Sequence, residues 1–93
     1  MLKMNKLILK DGTQLKKGNF YWWSGYSEGL YTTYTWKNTL CKITDIKNDN
    51  IAVIFEVFAN EEYVWSVESL NENCTFKEIL LRRTIDWFKK MVS

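Results

Sequence analysis

The chain has 93 residues, a net charge of +2, 46% hydrophobic residues and 26% charged residues. Such a chain is large enough to fold without disulfide bonds, and its composition excludes a disordered protein. It contains no histidine, which removes the commonest general base and the commonest zinc ligand. We expect one globular domain over residues 1–93.

The charges are distributed unevenly along the chain. Residues 1–17 carry a net charge of +4 and residues 75–93 carry +3, whereas residues 44–74 carry −6. Blocks of this kind are typical of solvated faces that attract one another across a fold. Lysine and asparagine are frequent and proline is absent, a bias associated with AT-rich genomes.

The chain begins with a predicted β-hairpin. Residues 6–10 form a short strand candidate, and the following Asp11-Gly12 pair is the strongest hairpin signal in the sequence. A second short strand is expected at residues 13–15. The segment from Lys16 to Asn19 then turns the chain into its most aromatic stretch.

That stretch, from Phe20 to Trp36, holds 8 of the 15 aromatic residues. Residues 20–23 predict a strand in which Phe20 and Trp22 share one face and Tyr21 and Trp23 share the other. Since eight aromatic side chains are difficult to bury together in one small core, we expect the second pair to face outward. Residues 24–29 contain two glycines and predict a flexible loop that presents Tyr26.

Further strands are predicted on both sides of a polar turn at residues 48–50. Residues 40–47 form the first, and the slip of its apolar phase before Ile46 predicts a β-bulge. Residues 51–58 are β-branched and almost continuously hydrophobic, which is typical of a central strand covered on both faces.

A last strand is expected after a second polar turn at residues 59–62. In residues 63–67 the side chains of Tyr63, Trp65 and Val67 alternate with smaller or polar ones and should point inward. The antiparallel strands therefore predict a meander.

The C-terminal segment predicts an amphipathic helix over residues 76–91. Thr75 and Glu78 have the spacing of a capping box, and apolar residues recur at steps of three and four from Phe76 to Met91. The fold class is mainly β (α+β). It resembles, at the level of architecture, a small SH3-like five- to six-stranded antiparallel barrel or bent sheet, capped by this helix.

The residue types do not support catalysis, a metal site or a cofactor. Glu61 and Glu62 are adjacent in a turn, so they do not form a pair of carboxylates in distinct environments. Cys41 and Cys74 lack paired ligand spacing and a histidine partner, and buried free thiols are their simplest interpretation. No glycine-rich phosphate loop is present. We expect a protein that is not an enzyme.

The sequence predicts a cytoplasmic protein. The N-terminal residues have no apolar run longer than residues 7–9, which is too short for a secretory signal or a membrane span. Two cysteines without an export signal fit a reducing compartment.

Binding to a protein partner is the leading functional hypothesis, because tyrosine and tryptophan are enriched among interface hot spots. The candidate partner-binding residues are the outward aromatics and two acids: Tyr21, Trp23, Tyr26, Tyr31, Glu61 and Glu62. A basic surface, such as that of a nucleic-acid-binding host protein, would complement the acids. A compact chain of this composition fits a phage or mobile-element accessory protein that occludes a host protein.

Two alternatives use the same aromatic residues. A single-stranded nucleic-acid-binding barrel would stack bases on them and hold phosphates with cations. Those cations would be Lys16, Lys17, Lys37, Arg82 and Arg83. A structural subunit would instead use the aromatic surface as a homodimer interface.

Overall fold

The computed structural model describes residues 6–79 and residue 90. The described chain is mainly β, with two antiparallel sheets and one short helix. The elements are β1 (Lys6–Ile8), β2 (Gln14–Lys16), β3 (Phe20–Glu28), β4 (Thr33–Lys47), β5 (Ile51–Glu56), β6 (Glu61–Ser66), α1 (Val67–Asn73) and β7 (Cys74–Glu78).

β1 and β2 form the predicted N-terminal hairpin. The Leu9 amide donates to the Thr13 carbonyl at 2.8 Å, and Gly12 has a φ of 92°, a value that glycine adopts without steric cost. The Asp11 carboxylate accepts from the Thr13 amide at 2.9 Å and closes the turn. The hairpin prediction is confirmed.

The larger sheet has the strand order β6-β5-β4-β3-β7. β5 pairs on both sides, as its hydrophobicity predicts, but the middle position belongs to β4. Within the described part of the chain the edge strands β6 and β7 do not pair with each other, so the sheet is not a closed barrel. The barrel form of the fold prediction is therefore wrong.

β4 contains two irregularities in its pairing. One lies between Ile43 and Asp45, where the predicted bulge keeps Ile43 and Ile46 on one face. The other lies opposite β3, where Trp23 pairs with Thr39 but Gly25 pairs with Trp36. This second bulge was not predicted.

The aromatic stretch forms a long hairpin, without the loop that was predicted at residues 24–29. β3 continues through the predicted loop to Glu28, and the turn lies at residues 29–32, where the Gly29 amide donates to the Thr32 carbonyl at 2.7 Å. The loop prediction was wrong because residues 25–28 pair with β4 while Ser24 and Gly25 pair with β7, so each residue of the segment has a strand partner for its backbone.

The capping-box prediction at Thr75 is also wrong. Residues 74–78 form β7, in which Cys74 and Phe76 are buried while Thr75 and Lys77 are exposed. Pairing with the open edge of β3 outweighs the local helix signal. The remainder of the predicted helix, from residue 80 onward, lies outside the described residues apart from Lys90.

The helix that is described, α1, was not predicted. It begins after Ser66, whose hydroxyl accepts from the Ser69 amide at 3.3 Å, and it places Leu70 in the core. Among the described residues, no helix has the length and apolar character needed to cross a membrane.

The main hydrophobic cluster lies on one face of the large sheet and includes the small sheet, while Leu40 and Val53 are buried on the opposite face. The buried cluster comprises Leu7, Leu9, Leu15, Tyr21, Trp23, Cys41, Ile43, Ile46, Ala52, Ile54, Leu70, Cys74 and Phe76. We call the face of the sheet that carries this cluster the core face. Because directly opposed residues of antiparallel strands share a face, the pairing assigns each paired residue of the large sheet to the core face or to the opposite face.

Candidate binding site

A cleft opens on the core face, where β3, β4, β5 and β6 contribute side chains. Its volume is about 320 Å³. That is near the lower end of the range for small-ligand sites, which starts at about 300 Å³. Its lining residues are Trp23, Ser27, Tyr34, Trp36, Glu56, Tyr63 and Trp65. We call it the aromatic cleft.

Trp36 reaches the aromatic cleft because of the bulge in β4 and because of Gly25. Trp36 and Cys41 are an odd number of residues apart, so they share the core face only because the bulge adds a residue between them. The Trp36 ring packs over Gly25, where an added Cβ would lie 2.9 Å from Trp36 Cζ2 and 2.9 Å from Cys74 Sγ. The missing side chain at residue 25 thus makes room for the indole.

The aromatic rings meet at steep angles. The ring centroids of Trp23 and Trp36 are 4.9 Å apart with an interplanar angle of 65°, and Trp65 meets Trp23 at 6.0 Å and 88°. Tyr63 meets Trp23 at 6.1 Å and 61°. Edge-to-face contacts of this kind stabilise the cluster. Because these rings meet at steep angles and are not stacked in parallel, they form the walls of a concave site.

Two carboxylates adjoin the rings. Glu56 lines the cleft, and Glu61 lies directly opposite it across the β5–β6 pair, so both are on the core face. The Tyr63 hydroxyl donates to the Glu61 carboxylate. This hydrogen bond is the main cause that raises the pKa of Tyr63 to about 12.

Like charges directly opposed across two strands destabilise a sheet. Within residues 6–79, neither Glu56 nor Glu61 has a lysine or arginine at ion-pair distance, and the ion pair found there joins Lys17 to Asp45 at 3.7 Å. The aromatic cleft therefore carries a local negative charge that the described residues leave uncompensated.

The indole N–H groups of Trp23 and Trp36 are buried without a hydrogen bond of ordinary geometry to any described residue. Trp23 lies close enough to the Cys74 thiol to oppose its pKa shift, but burial dominates and raises the pKa of Cys74. Leaving two donors unpaired costs free energy. The cluster of Trp23, Trp36 and Trp65 is therefore held together by apolar and ring contacts and not by hydrogen bonds of the indole groups.

The predicted partner-binding aromatics do not form one surface. Tyr21 and Trp23 are 0% and 3% exposed, so the expectation that they face outward is wrong. The buried face of β3 is the opposite of the predicted one, because the small sheet and α1 cover the side that carries Tyr21 and Trp23. Tyr26 is 39% exposed on the opposite face, and Tyr31 is 94% exposed in the turn after β3.

The two predicted acids also separate. Glu61 is on the core face beside Tyr63, whereas Glu62 pairs with Phe55 on the opposite face. Adjacent residues of a strand point in opposite directions, so Glu61 and Glu62 cannot act together at one site.

None of the described basic residues of the nucleic-acid alternative lines the aromatic cleft. Lys16 ends β2, Lys17 is ion-paired with Asp45, and Lys37 lies in β4 at the bulge. Arg82 and Arg83 are outside the described residues. The described lining of the cleft contains a carboxylate and no cation.

The sequence did not predict six of the lining residues as site residues: Ser27, Tyr34, Trp36, Glu56, Tyr63 and Trp65. The inward phase of Tyr63 and Trp65 was predicted correctly, but it was interpreted as core. One usable signal was Glu56 on a strand face that is otherwise apolar. The bulge that brings Trp36 to the same face has no clear sequence signature.

Among the described residues, no group of three histidine, cysteine or acidic side chains is placed to hold a metal ion. Burial raises the pKa of the Cys41 thiol to about 12, which makes it a poor nucleophile. Comparison of the chain with protein-family models, curated proteins and solved structures found no match.

Proposed function

We propose that this protein is a non-catalytic binding protein that engages a larger protein through the aromatic cleft. The observation that carries the proposal is a concave site of about 320 Å³ whose walls are tryptophan and tyrosine rings. Pockets of this composition are typical of recognition sites, since aromatic side chains give a large contact area at a low cost in conformational entropy.

The partner surface extends from the cleft along the β3–β4 hairpin. Tyr34 lines the cleft and is 62% exposed, and the turn between β3 and β4 carries Leu30 and Tyr31, which are 87% and 94% exposed. Exposed large apolar side chains beside a concave site favour a protein partner over an isolated small molecule.

Charge favours a protein over a nucleic acid. Phosphate groups would approach Glu56 and Glu61, and the lysines that would attract them are elsewhere in the described chain. A single-stranded nucleic acid and a second copy of this chain remain the competing ligands, and both are outcomes of the experiment below.

Two further parts of the proposal rest on the sequence. The composition and size fit an accessory protein of a phage or mobile element that occludes a host protein, and the two free cysteines fit the cytoplasm. The SH3-like identity of the fold stays a prediction.

The test is affinity capture from a lysate of the native host, with and without nuclease treatment. Wild-type protein is compared with Tyr34→Ala/Glu56→Gln, which alters the cleft, and with Tyr26→Ala/Glu62→Gln, which makes matched changes on the opposite face. We expect wild type and the opposite-face variant to retain one defined protein that the cleft variant loses.

Three results would contradict the proposal. Retention of the partner by the cleft variant would exclude the cleft, and loss of binding after nuclease treatment would favour nucleic acid. Capture of this chain alone, with concentration-dependent sedimentation, would indicate a homo-oligomer.

A further inference from the structure

We propose that the group entering the aromatic cleft is a quaternary ammonium, presented by the partner as a trimethylated lysine side chain. This inference rests on the proposed function and names the chemistry that the cleft recognises. It is carried by three features of the described residues: the ring geometry, the opposed carboxylates and the small number of hydrogen-bond acceptors in the lining.

The ring geometry suits a cation. The faces of aromatic rings carry negative electrostatic potential, and tryptophan has the strongest attraction for cations. Trp36 and Trp65 meet at 5.8 Å and 66°, and both meet Trp23 at steep angles. Rings arranged as converging walls can surround one compact cation, as in the aromatic cages that recognise methylated lysine.

The carboxylates supply the second feature. Glu56 and Glu61 face each other across β5 and β6 and lack a described cationic partner. A cation in the cleft would reduce the repulsion between these two carboxylates. Relief of this repulsion, which is present in the free protein, would add to the binding free energy.

The lining distinguishes a quaternary ammonium from an ordinary lysine or arginine. The side-chain hydrogen-bond acceptors of the described lining are Ser27, Glu56 and the hydroxyl groups of Tyr34 and Tyr63, and the indole N–H groups of its tryptophans are donors. The Tyr63 hydroxyl is already engaged with Glu61. An unmodified ammonium has three strongly hydrated N–H donors, and a guanidinium has five. The lining has too few acceptors to replace the hydrogen bonds to water that these donors would lose. A trimethylammonium has no donor and loses less on leaving water.

The experiment is a titration of the full chain followed by the indole N–H signals of its tryptophans in NMR spectra. The probes are Nα-acetyl-trimethyllysine amide, the unmodified lysine amide and a neutral isostere in which carbon replaces the quaternary nitrogen. We expect saturable shifts of the Trp36 and Trp65 signals with the first probe, in the millimolar range that a single side chain reaches. Binding of the neutral isostere should be about ten-fold weaker.

Glu56→Gln and Glu62→Gln provide a matched pair on opposite faces. The first should weaken binding of the trimethyllysine probe about three- to ten-fold, and the second should leave it unchanged. Well-dispersed indole signals in both variants verify that they are folded. Because Gln keeps the size of the side chain, a loss at residue 56 reports the charge.

Equal affinity for the neutral isostere, or no saturable shift with the trimethyllysine probe, would overturn the inference. Tighter binding of unmodified lysine would overturn it as well. These results leave the proposed function intact if the captured partner still depends on Tyr34 and Glu56. Conversely, probe binding without any captured partner would contradict the proposed function and support only the ligand chemistry.

Discussion

Tyr21 joins the small sheet to the large one through its hydroxyl group. The Tyr21 Oη accepts from the Lys16 amide and donates to the Gln14 carbonyl, both at 2.8 Å, while the ring is fully buried. Burial raises the pKa of the phenol. Tyr21 is thus both a core residue and a polar link between the sheets. Its hydroxyl group finds hydrogen-bond partners inside the protein, so the residue does not need to face outward.

Tyr21→Phe should therefore lower the free energy of unfolding by about 1–3 kcal/mol, because it leaves a partly buried amide and carbonyl unpaired. Urea denaturation measures the change. Tyr31→Phe, at a position 94% exposed, is the control and should have little effect. An unchanged stability for Tyr21→Phe would show that water replaces both hydrogen bonds.

The two thiols are on different strands and are separated by β3. Cys41 pairs with Tyr21 and Cys74 pairs with Gly25, so two strand spacings, about 9.6 Å, already exceed the reach of a disulfide. Both cysteines are free and buried, as expected from the sequence.

Cys41 should resist alkylation in the native protein. Its pKa is raised from an ordinary 9.0 to about 12 by burial. The thiolate fraction at pH 8 is then about a thousand-fold lower than that of an ordinary thiol. The raised pKa also makes the free energy of unfolding depend on pH. The neutral Cys41 thiol supports the fold below pH 9, and this contribution is lost as the pH rises toward 12.

Iodoacetamide labelling at pH 8 with peptide mapping tests this prediction. Cys41 should be labelled rapidly in urea and very slowly without it. Labelling of native Cys41 at the rate of the denatured protein would mean that β4 opens readily at this position.

At the level of the elements, the shape of the aromatic cleft depends on the close approach of β3 to its neighbours at Gly25. Gly25 faces Trp36 on β4 and Cys74 on β7, and a Cβ at this position would also lie 2.8 Å from the Asn73 carbonyl oxygen. The backbone of Asn73 cannot yield as a flexible side chain would. The packing of three elements thus depends on residue 25 having no side chain.

Gly25→Ala should lower the free energy of unfolding by about 1–3 kcal/mol through overpacking, and it should displace the Trp36 ring from the cleft. Urea denaturation and the indole signal of Trp36 report the two effects. Gly29→Ala is the control: a Cβ there would lie 3.0 Å from the exposed Tyr34 ring and 3.1 Å from the Thr32 carbonyl oxygen, which is less tight than at residue 25, so a smaller effect is expected. A wild-type Trp36 signal in Gly25→Ala would contradict the packing argument.

At the level of the whole molecule, the two sheets share one core. The hairpin of β1 and β2 contributes Leu7, Leu9 and Leu15, which are 3%, 4% and 0% exposed, to the cluster that contains Trp23. A three-residue strand pair is not stable on its own, so it depends on these contacts. We expect the small sheet and the large sheet to unfold together.

Leu15→Ala should destabilise the whole domain by about 2–5 kcal/mol. Tryptophan fluorescence is the decisive measurement, because the described tryptophans are all in the large sheet. Ile8→Ala, in the same hairpin but 60% exposed, should change stability by less than about 0.5 kcal/mol. A fluorescence transition unaffected by Leu15→Ala would mean that the hairpin detaches independently.

Local chemistry was predictable where it acts over a few residues. Asp11-Gly12 specified a tight turn, and Asn48 and Asp49 adopt the left-handed backbone, with φ of 53° and 63°, that their side chains tolerate. The phase of β6 and the bulge near Ile43 followed from the apolar pattern. Each of these depends on backbone and side-chain preferences that neighbours in the sequence determine.

The tertiary structure decided which face of β3 is buried, where β7 pairs and how the aromatic cleft forms. Both faces of β3 carry aromatics, so alternation alone could not choose between Tyr21 and Trp22, and the covering hairpin made the choice. The segment at Thr75 became a strand because β3 had an edge to pair. Trp36 and Trp65 meet only after strands distant in sequence are aligned, and a pattern read along one strand contains no information about that alignment.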